Sequence, residues 1–165
     1  MNRRTTPPRT HPKQPRSVVR FSRKGDGNAL LTLVNALADF EKLRRPSRAA
    51  RARLMKDGFG KRKRFDSLLA LVKGKPVGYA ILFESYSSFL ARPTLYLEDI
   101  FVLPEWRGRR IGLQLFRRVL AEARRRKCGR MEWMVLDWNK NAIDFYRRIG
   151  AKYMKAWHLY RLVLT

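Results

Sequence analysis

Cysteine is nearly missing from this sequence. Cys128 stands alone, which excludes an intramolecular disulfide and fits a reducing compartment. Histidine is almost as scarce. His11 and His158 have no second His or Cys at metal-ligand spacing, so no metal site is expected. Acidic residues are few, 13 against 38 Lys and Arg, and the formal charge of +25 creates a potential that attracts phosphates, acidic surfaces and nucleic acids. Yet the basic residues are spread along the whole chain, and the paired Cys/His ligands or aromatic RNP strand of a nucleic-acid reader are missing. Charge alone names no ligand, so a nucleic-acid partner is allowed but not required. No apolar run approaches the about 20 residues that cross a bilayer. Arg3 and Arg4 are followed by prolines at 7, 8, 12 and 15 and by no apolar block, so neither an export signal nor a transit peptide is read there. The expectation is a soluble, cytoplasmic protein without a membrane partner.

What is present suffices for one core: 45% of residues are apolar and 12% aromatic. Residues 1–16, rich in Pro, Thr and Arg, lack hydrophobic periodicity and are expected to form a mobile basic arm, with a single domain over 17–165. Ser17 to Phe21 reads as a strand, and Gly25 to Asn28 as a turn into a helix from Ala29 to Leu43 that Pro46 ends. A second helix is expected from Ser47 to Lys56, stopping at Asp57-Gly58. Strands at Phe65–Val72, Val77–Glu84 and Thr94–Val102 make an antiparallel meander. Ile111, Leu115, Val119 and Ala123 then repeat every fourth residue, the inward stripe of a helix whose arginines face out. Met131–Leu136 reads as a strand, Ala142 to Ile149 as a helix closed by Gly150, and Trp157–Leu164 as a last strand. The order predicts an α/β fold with a mixed sheet, the third helix joining two parallel neighbours.

Val102-Leu103-Pro104-Glu105-Trp106-Arg107-Gly108-Arg109-Arg110-Ile111-Gly112 passes from strand through tight loop into helix. Free N–H groups and the dipole at the helix start suit a phosphate, Gly108 and Gly112 allow close approach, and Arg107, Arg109 and Arg110 add charge. Alone, the segment reads equally as a solvated basic turn. Glu98 and Asp99 break an apolar strand, which is costly unless they face a cavity, an arginine or a cationic substrate. Alternation puts the two acids on opposite faces unless a bulge intervenes. Glu41 falls at the centre of the face made by Leu30, Val34 and Leu37, while Asp39 points away. An inward carboxylate needs a cation, either an internal Arg or Lys or a substrate ammonium. Tyr146 follows the stripe of Ala142 and Phe145, as a core tyrosine would. Asn139 can cap the following helix. Trp133 and Trp138 read as packing residues.

The loop at 107–112 resembles the coenzyme A signature of the Gcn5-related N-acetyltransferases (GNAT), Arg/Gln-x-x-Gly-x-Gly/Ala, with Arg107 and Gly112 at the outer positions and Arg110 in place of the middle glycine. Tyr96 to Val102, Trp138-Asn139 and Ala142 to Tyr146 are similar to the spermidine/spermine and thialysine acetyltransferase branch. Leu37 to Glu41, Lys56 to Gly60 and Val77 to Ala80 follow it in order, so the likeness covers nearly everything after residue 17. The resemblance implies a mixed, mostly antiparallel twisted sheet with a central, splayed parallel strand pair and flanking helices. It implies acetyl-coenzyme A as cosubstrate, bound by Phe101 and Val102 main chain, by Arg107, Gly108, Arg109, Arg110, Ile111 and Gly112, and by Asn139. Tyr146 would protonate the leaving thiolate, Glu98 would help remove the amine proton, and Glu41 and Asp99 would bind the substrate. A homodimer follows from the same likeness.

Three functions stay open at this point. They are acetylation of a small amine, polyamine or amino-acid side chain, acetylation of a protein lysine or N-terminus, and a basic nucleic-acid or ribosome-binding role on the same fold. Deleting residues 1–16 is expected to leave the melting temperature and small-amine turnover nearly unchanged, as thermal unfolding and an acetylation assay would show. Loss of folding would move the domain boundary.

Overall fold

The protein is described here from a computed structural model covering residues 16–164; the arm expected at 1–16 lies outside the described residues except for Arg16. The described residues divide into two compact units, 16–133 and 134–164.

The first unit opens with β1 (Ser17–Phe21) and a short 3-10 turn leading into α1 (Gly27–Phe40). The helix starts earlier than the sequence suggests because Asp26 organises its entrance. Arg20 grips both Asp26 carboxylate oxygens at 2.6 and 3.1 Å, and the Arg23 N–H donates to Oδ2 at 2.6 Å. α1 also ends early, three residues short of Leu43, and Lys42 turns left-handed with φ 58°. Ser47 Oγ accepts from the Ala50 N–H at 3.2 Å and caps α2 (Arg48–Phe59). That helix runs through Asp57-Gly58 instead of stopping there. Gly58 is a packing residue, since a Cβ on it would lie 2.6 Å from Phe65 Cζ.

β2 (Asp66–Val72), β3 (Lys75–Ser87) and β4 (Arg92–Val102) form the expected meander, and α3 (Ile111–Arg125) carries the chain to β5 (Arg130–Glu132). The sheet order is β1-β2-β3-β4-β5, antiparallel except for the parallel pair β4 and β5. The parallel pair joined by α3 is the one expected, and it lies at the end of the described sheet. α1 covers one face and α3 the other. Leu30, Leu33, Leu69, Tyr79, Ile81 and Phe101 form the core under α1. Each such side chain contributes on the order of 1.5–3 kcal/mol by leaving water.

The register of β3 against β4 slips once. Ile81 pairs with Asp99 and Leu82 with Leu97, so Glu98 is an extra residue, a β-bulge. Partners across a ladder share a face, so Leu95 and Leu97 lie on the α3 side while Asp99 and Phe101 lie on the α1 side.

Not every basic residue at the end of α3 faces out. Arg126, just past the helix, reaches Glu122 at 2.7 Å, Asp66 at 2.6 Å and Glu84 at 3.1 Å, tying α3 to β2 and β3. The Glu122 side chain is 4% exposed. Hydrogen bonds from Arg125 and then Arg126, acting against desolvation, hold its carboxyl down at about 2.

The second unit contains α4 (Lys140–Arg148), and Gly150, with φ 84°, follows it. The strand expected at Trp157–Leu164 does not form: these residues have no regular structure and are exposed. A strand exists only through pairing, and none of these residues is paired among the described strands.

The Arg126 network yields a pH test. Because the folded pKa of Glu122 lies below its unfolded value near about 4.3, its contribution is complete above pH 4.3 and is lost as pH falls through about 2. Arg126→Met should cost about 3 kcal/mol near neutral pH, by leaving Glu122 buried with less compensation. Urea unfolding should show that cost shrinking toward pH 2. A pH-independent loss would mean that Arg126 acts through packing alone.

Candidate functional site

β4 and β5 stay together only at Thr94–Arg130, Leu95–Met131 and Tyr96–Glu132. Beyond Tyr96, β4 continues to Val102 with no strand on that side among the described residues. The Leu103 N–H bonds the Val77 carbonyl at 3.0 Å, which fixes the phase of the antiparallel ladder. By that phase Phe101 turns its main chain toward Tyr79, and Ile100 and Val102 turn theirs to the open side. The Val102 carbonyl confirms the direction, since Arg107 Nε donates to it at 2.9 Å. Ile100 was not singled out in the sequence, because ladder phase is invisible there.

At the end of β4 a 3-10 turn, Pro104–Trp106, leads into the loop that starts α3. The Gln114 N–H makes the first helical bond, to the Arg110 carbonyl at 3.0 Å, so the N–H groups of Ile111, Gly112 and Leu113 have no helical acceptor. Around Gly112 there is room: a Cβ would meet only Val102 Cγ2, at 3.9 Å. Arg110 adopts φ 60°, ψ 11°, and Gly108 φ 74°. The motif position at 110 is left-handed, which explains why glycine suits it and makes Arg110 a conformational cost of about 1 kcal/mol. The three arginines differ in their engagement. The Arg107 guanidinium lies 4.3 Å from the Phe40 ring centroid and 5.5 Å from that of Phe101, so it braces the strand end against α1. Arg109 stacks on Trp106 at 4.8 Å. Arg110 is exposed.

On the α1 side of the sheet, three acids gather without cationic partners. Asp99 accepts a hydrogen bond from the fully buried Tyr79 hydroxyl at 3.1 Å. Burial pushes the Asp99 carboxyl up to about 6, helped by repulsion from Glu98 and Glu41 and opposed by the Tyr79 bond. Glu41 caps the C-terminal end of α1, half-buried, and desolvation raises its pKa as well. Glu98 is exposed on the bulge. Among the described residues no ion pair involves these three. Asp39, on the other side of α1, takes Arg45 at 2.6 Å. Tyr79 is the member of this group whose role the sequence did not reveal, since its neighbours are set by strand pairing.

In the C-terminal unit, Asn139 Oδ1 accepts from the Ala142 N–H at 3.2 Å and caps α4. Tyr146 is buried, its ring set edge-on to Phe145 at 5.4 Å, and burial pushes its phenol up to about 12.

The model of the acetyltransferase (GNAT) family matches residues 30–151. A thialysine N-epsilon-acetyltransferase of Bos taurus is 35% identical over 155 residues, covering 87% of this chain and 91% of that protein. An L-ornithine N5-acetyltransferase of Arabidopsis thaliana is 44% identical over 85 residues, 52% of this chain and 37% of the relative. Among solved structures, an aminoglycoside N-acetyltransferase in complex with CoA superposes with a TM-score of 0.75 at 20% identity, covering 93% of this chain and 99% of that one, a likeness of fold. The chain belongs to the acetyltransferase (GNAT) family, and it is an acetyltransferase.

Asp99 gives the site a measurable signature. Its folded pKa of about 6 exceeds the unfolded value near about 3.9, so the folded state holds an extra proton between those values. Stability should therefore fall as pH rises from about 4 to about 6, by at most about 3 kcal/mol. Asp99→Asn should flatten that slope in unfolding curves taken across the window. An unchanged slope would place the titration elsewhere.

Proposed function

We propose that the protein is an N-acetyltransferase that moves an acetyl group from acetyl-coenzyme A to a primary amine on a small molecule or amino-acid side chain. The observation that carries this reading is the unpaired acidic cluster of Glu41, Glu98 and Asp99 in a chain of 38 cationic residues. Acids left without arginine partners in so basic a protein suit a cation supplied from outside. The amine acceptors named for the thialysine and ornithine relatives support the same class.

The residues present fit the coenzyme. The N–H groups of Ile111 and Gly112, with Gly108, Arg109 and Arg110, would hold its phosphates at the helix start. Ile100 and Val102 would pair with its pantetheine arm along the open side of β4, next to Phe101. Arg107 supports that edge through the Val102 carbonyl. Asn139 serves as the cap of α4 and, by family likeness, as a further coenzyme contact. Acetyl-coenzyme A supplies a thioester carbon that bonds the amine nitrogen as its carbon–sulfur bond breaks. An amine attacks only as free base, so its proton must leave. Asp99 and Glu41 bind the ammonium, and Glu98, exposed on the bulge, passes the proton to solvent. An N–H of Ile100 or Val102 would stabilise the developing oxyanion. Tyr146, whose phenol stays protonated at neutral pH, would give the leaving sulfur its proton.

The same reading takes residues 17–165 as the catalytic domain of a cytoplasmic homodimer. Support for a dimer is the exposed apolar run in which Trp157, Tyr160 and Leu162 are 76, 89 and 86% exposed.

The decisive assay is acetyl-coenzyme A turnover against amines, amino acids and peptides. Tyr146→Phe should lower kcat by roughly 10²-fold with little change in coenzyme affinity, at a stability cost on the order of 1 kcal/mol. Glu98→Gln should hurt most below the amine's pKa and recover at high pH, where free amine is abundant. Wild-type turnover in Tyr146→Phe, with chemistry rate-limiting, would remove that tyrosine from the mechanism, and activity confined to peptides would redirect the substrate reading.

A further inference from the structure

Although basic residues occur throughout the sequence, the fold concentrates one group of them. Residues 42–64 contain 11 Lys and Arg and a single acid, Asp57, which lies 3.8 Å from Arg64. This stretch is α2 with its flanking loops. The inner face of the helix is occupied: Met55 and Phe59 meet α1 at Gly27, and Gly58 receives the Phe65 ring. Arg53 and Lys56 lie on the opposite side together with Asp57, Arg48 is exposed in the first turn, and Lys61, Arg62 and Lys63 follow in the loop after the helix. All six are exposed, and none is in an ion pair among the described residues.

Holding six like charges together costs self-repulsion that the one nearby acid, Asp57, relieves only in part. We propose that this outer face of α2 and the loop 61–63 is a docking surface for the sugar–phosphate backbone of a nucleic-acid duplex, separate from acetyl transfer. The chemistry of the face selects this partner. The other exposed side chains of α2 are Ala49, Arg51 and Ala52, so the surface offers cations and no amide, and its charge favours the phosphates that every sequence presents. Phe59 and Phe65 are turned into the protein, which leaves no aromatic platform for stacking single-stranded bases. A membrane-surface helix needs large apolar residues beside its basic ones, and a protein interface needs an apolar centre; alanine methyls supply neither. What the face does offer is a row of guanidinium and ammonium groups along a helix of about 18 Å, enough to follow several phosphates.

The test uses the full chain and labelled RNA and DNA duplexes of about 20 base pairs, read by fluorescence anisotropy across a salt series. The logarithm of affinity should fall against the logarithm of salt with a slope near about −5, as for five to six neutralised phosphates. The triple variant Arg48→Gln, Arg53→Gln, Lys56→Gln should bind at least about tenfold more weakly at low salt, with a slope smaller by about 3. Its turnover on small amines should match wild type, which separates this surface from the active site and shows that the variant folds. Arg117→Gln, Arg124→Gln, Lys127→Gln removes the same charge from exposed positions in and after α3 and should retain most of the affinity. Equal losses in the two variants would show that net charge alone drives binding and overturn the proposal. So would polyglutamate or anionic lipid vesicles binding as tightly as the duplexes.

Discussion

Much of this site depends on one extra residue in β4. Without the bulge at Glu98, the residues at 95, 97, 99 and 101 would share one face, and Asp99 would be forced under α3 with Leu95 and Leu97. The bulge turns the strand over between Leu97 and Asp99. The upstream half then packs its leucines beneath α3, while the downstream half delivers Asp99 and Phe101 to the side covered by α1. Close to the same point β4 loses β5, whose pairing ends at Tyr96–Glu132. A strand with one edge paired and one edge open, carrying a buried acid on its face, would serve both substrates of the proposed reaction.

Charge placement sets the electrostatics of that geometry. Most acids in the described chain are spent on arginines: Asp26 on Arg20, Asp39 on Arg45, and Asp66, Glu84 and Glu122 on Arg126. Asp99 is instead held by a neutral phenol, and burial, with repulsion from Glu98 and Glu41 behind it, raises its pKa. The same scarcity of acids leaves the outer face of α2 uncompensated. One compositional bias thus produces a small negative site inside the fold and a broad positive face outside it.

The parts of this account legible in the sequence are those governed by local periodicity. The four-residue stripe from Ile111 to Ala123 gave α3, the apolar segments at 65–72, 77–84 and 94–102 gave the meander, and the segment 102–112 gave the strand-to-helix cradle. What escaped is set by pairing between distant segments. A bulge leaves no trace in a strand's composition, so Glu98 and Asp99 could be assigned to opposite faces only conditionally. Tyr79 and Asp99 meet across two strands, and Arg126 joins residues up to 60 positions away. Gly58 looked like a helix stop because the ring that fills its missing side chain comes from Phe65. The apolar pattern at 157–164 suggests a strand, but pattern alone supplies no neighbour to pair with. Arg110 looked like a departure in side-chain chemistry, and its consequence is a backbone angle.

Amide-resolved hydrogen exchange with and without acetyl-coenzyme A tests the central claim directly, because the open edge makes a residue-specific forecast. Coenzyme should slow exchange at Ile100, Val102, Ile111 and Gly112 and leave Phe101, already bonded across to Tyr79, nearly unchanged. Absence of binding at millimolar coenzyme, or protection of Phe101 in place of its two neighbours, would contradict the account.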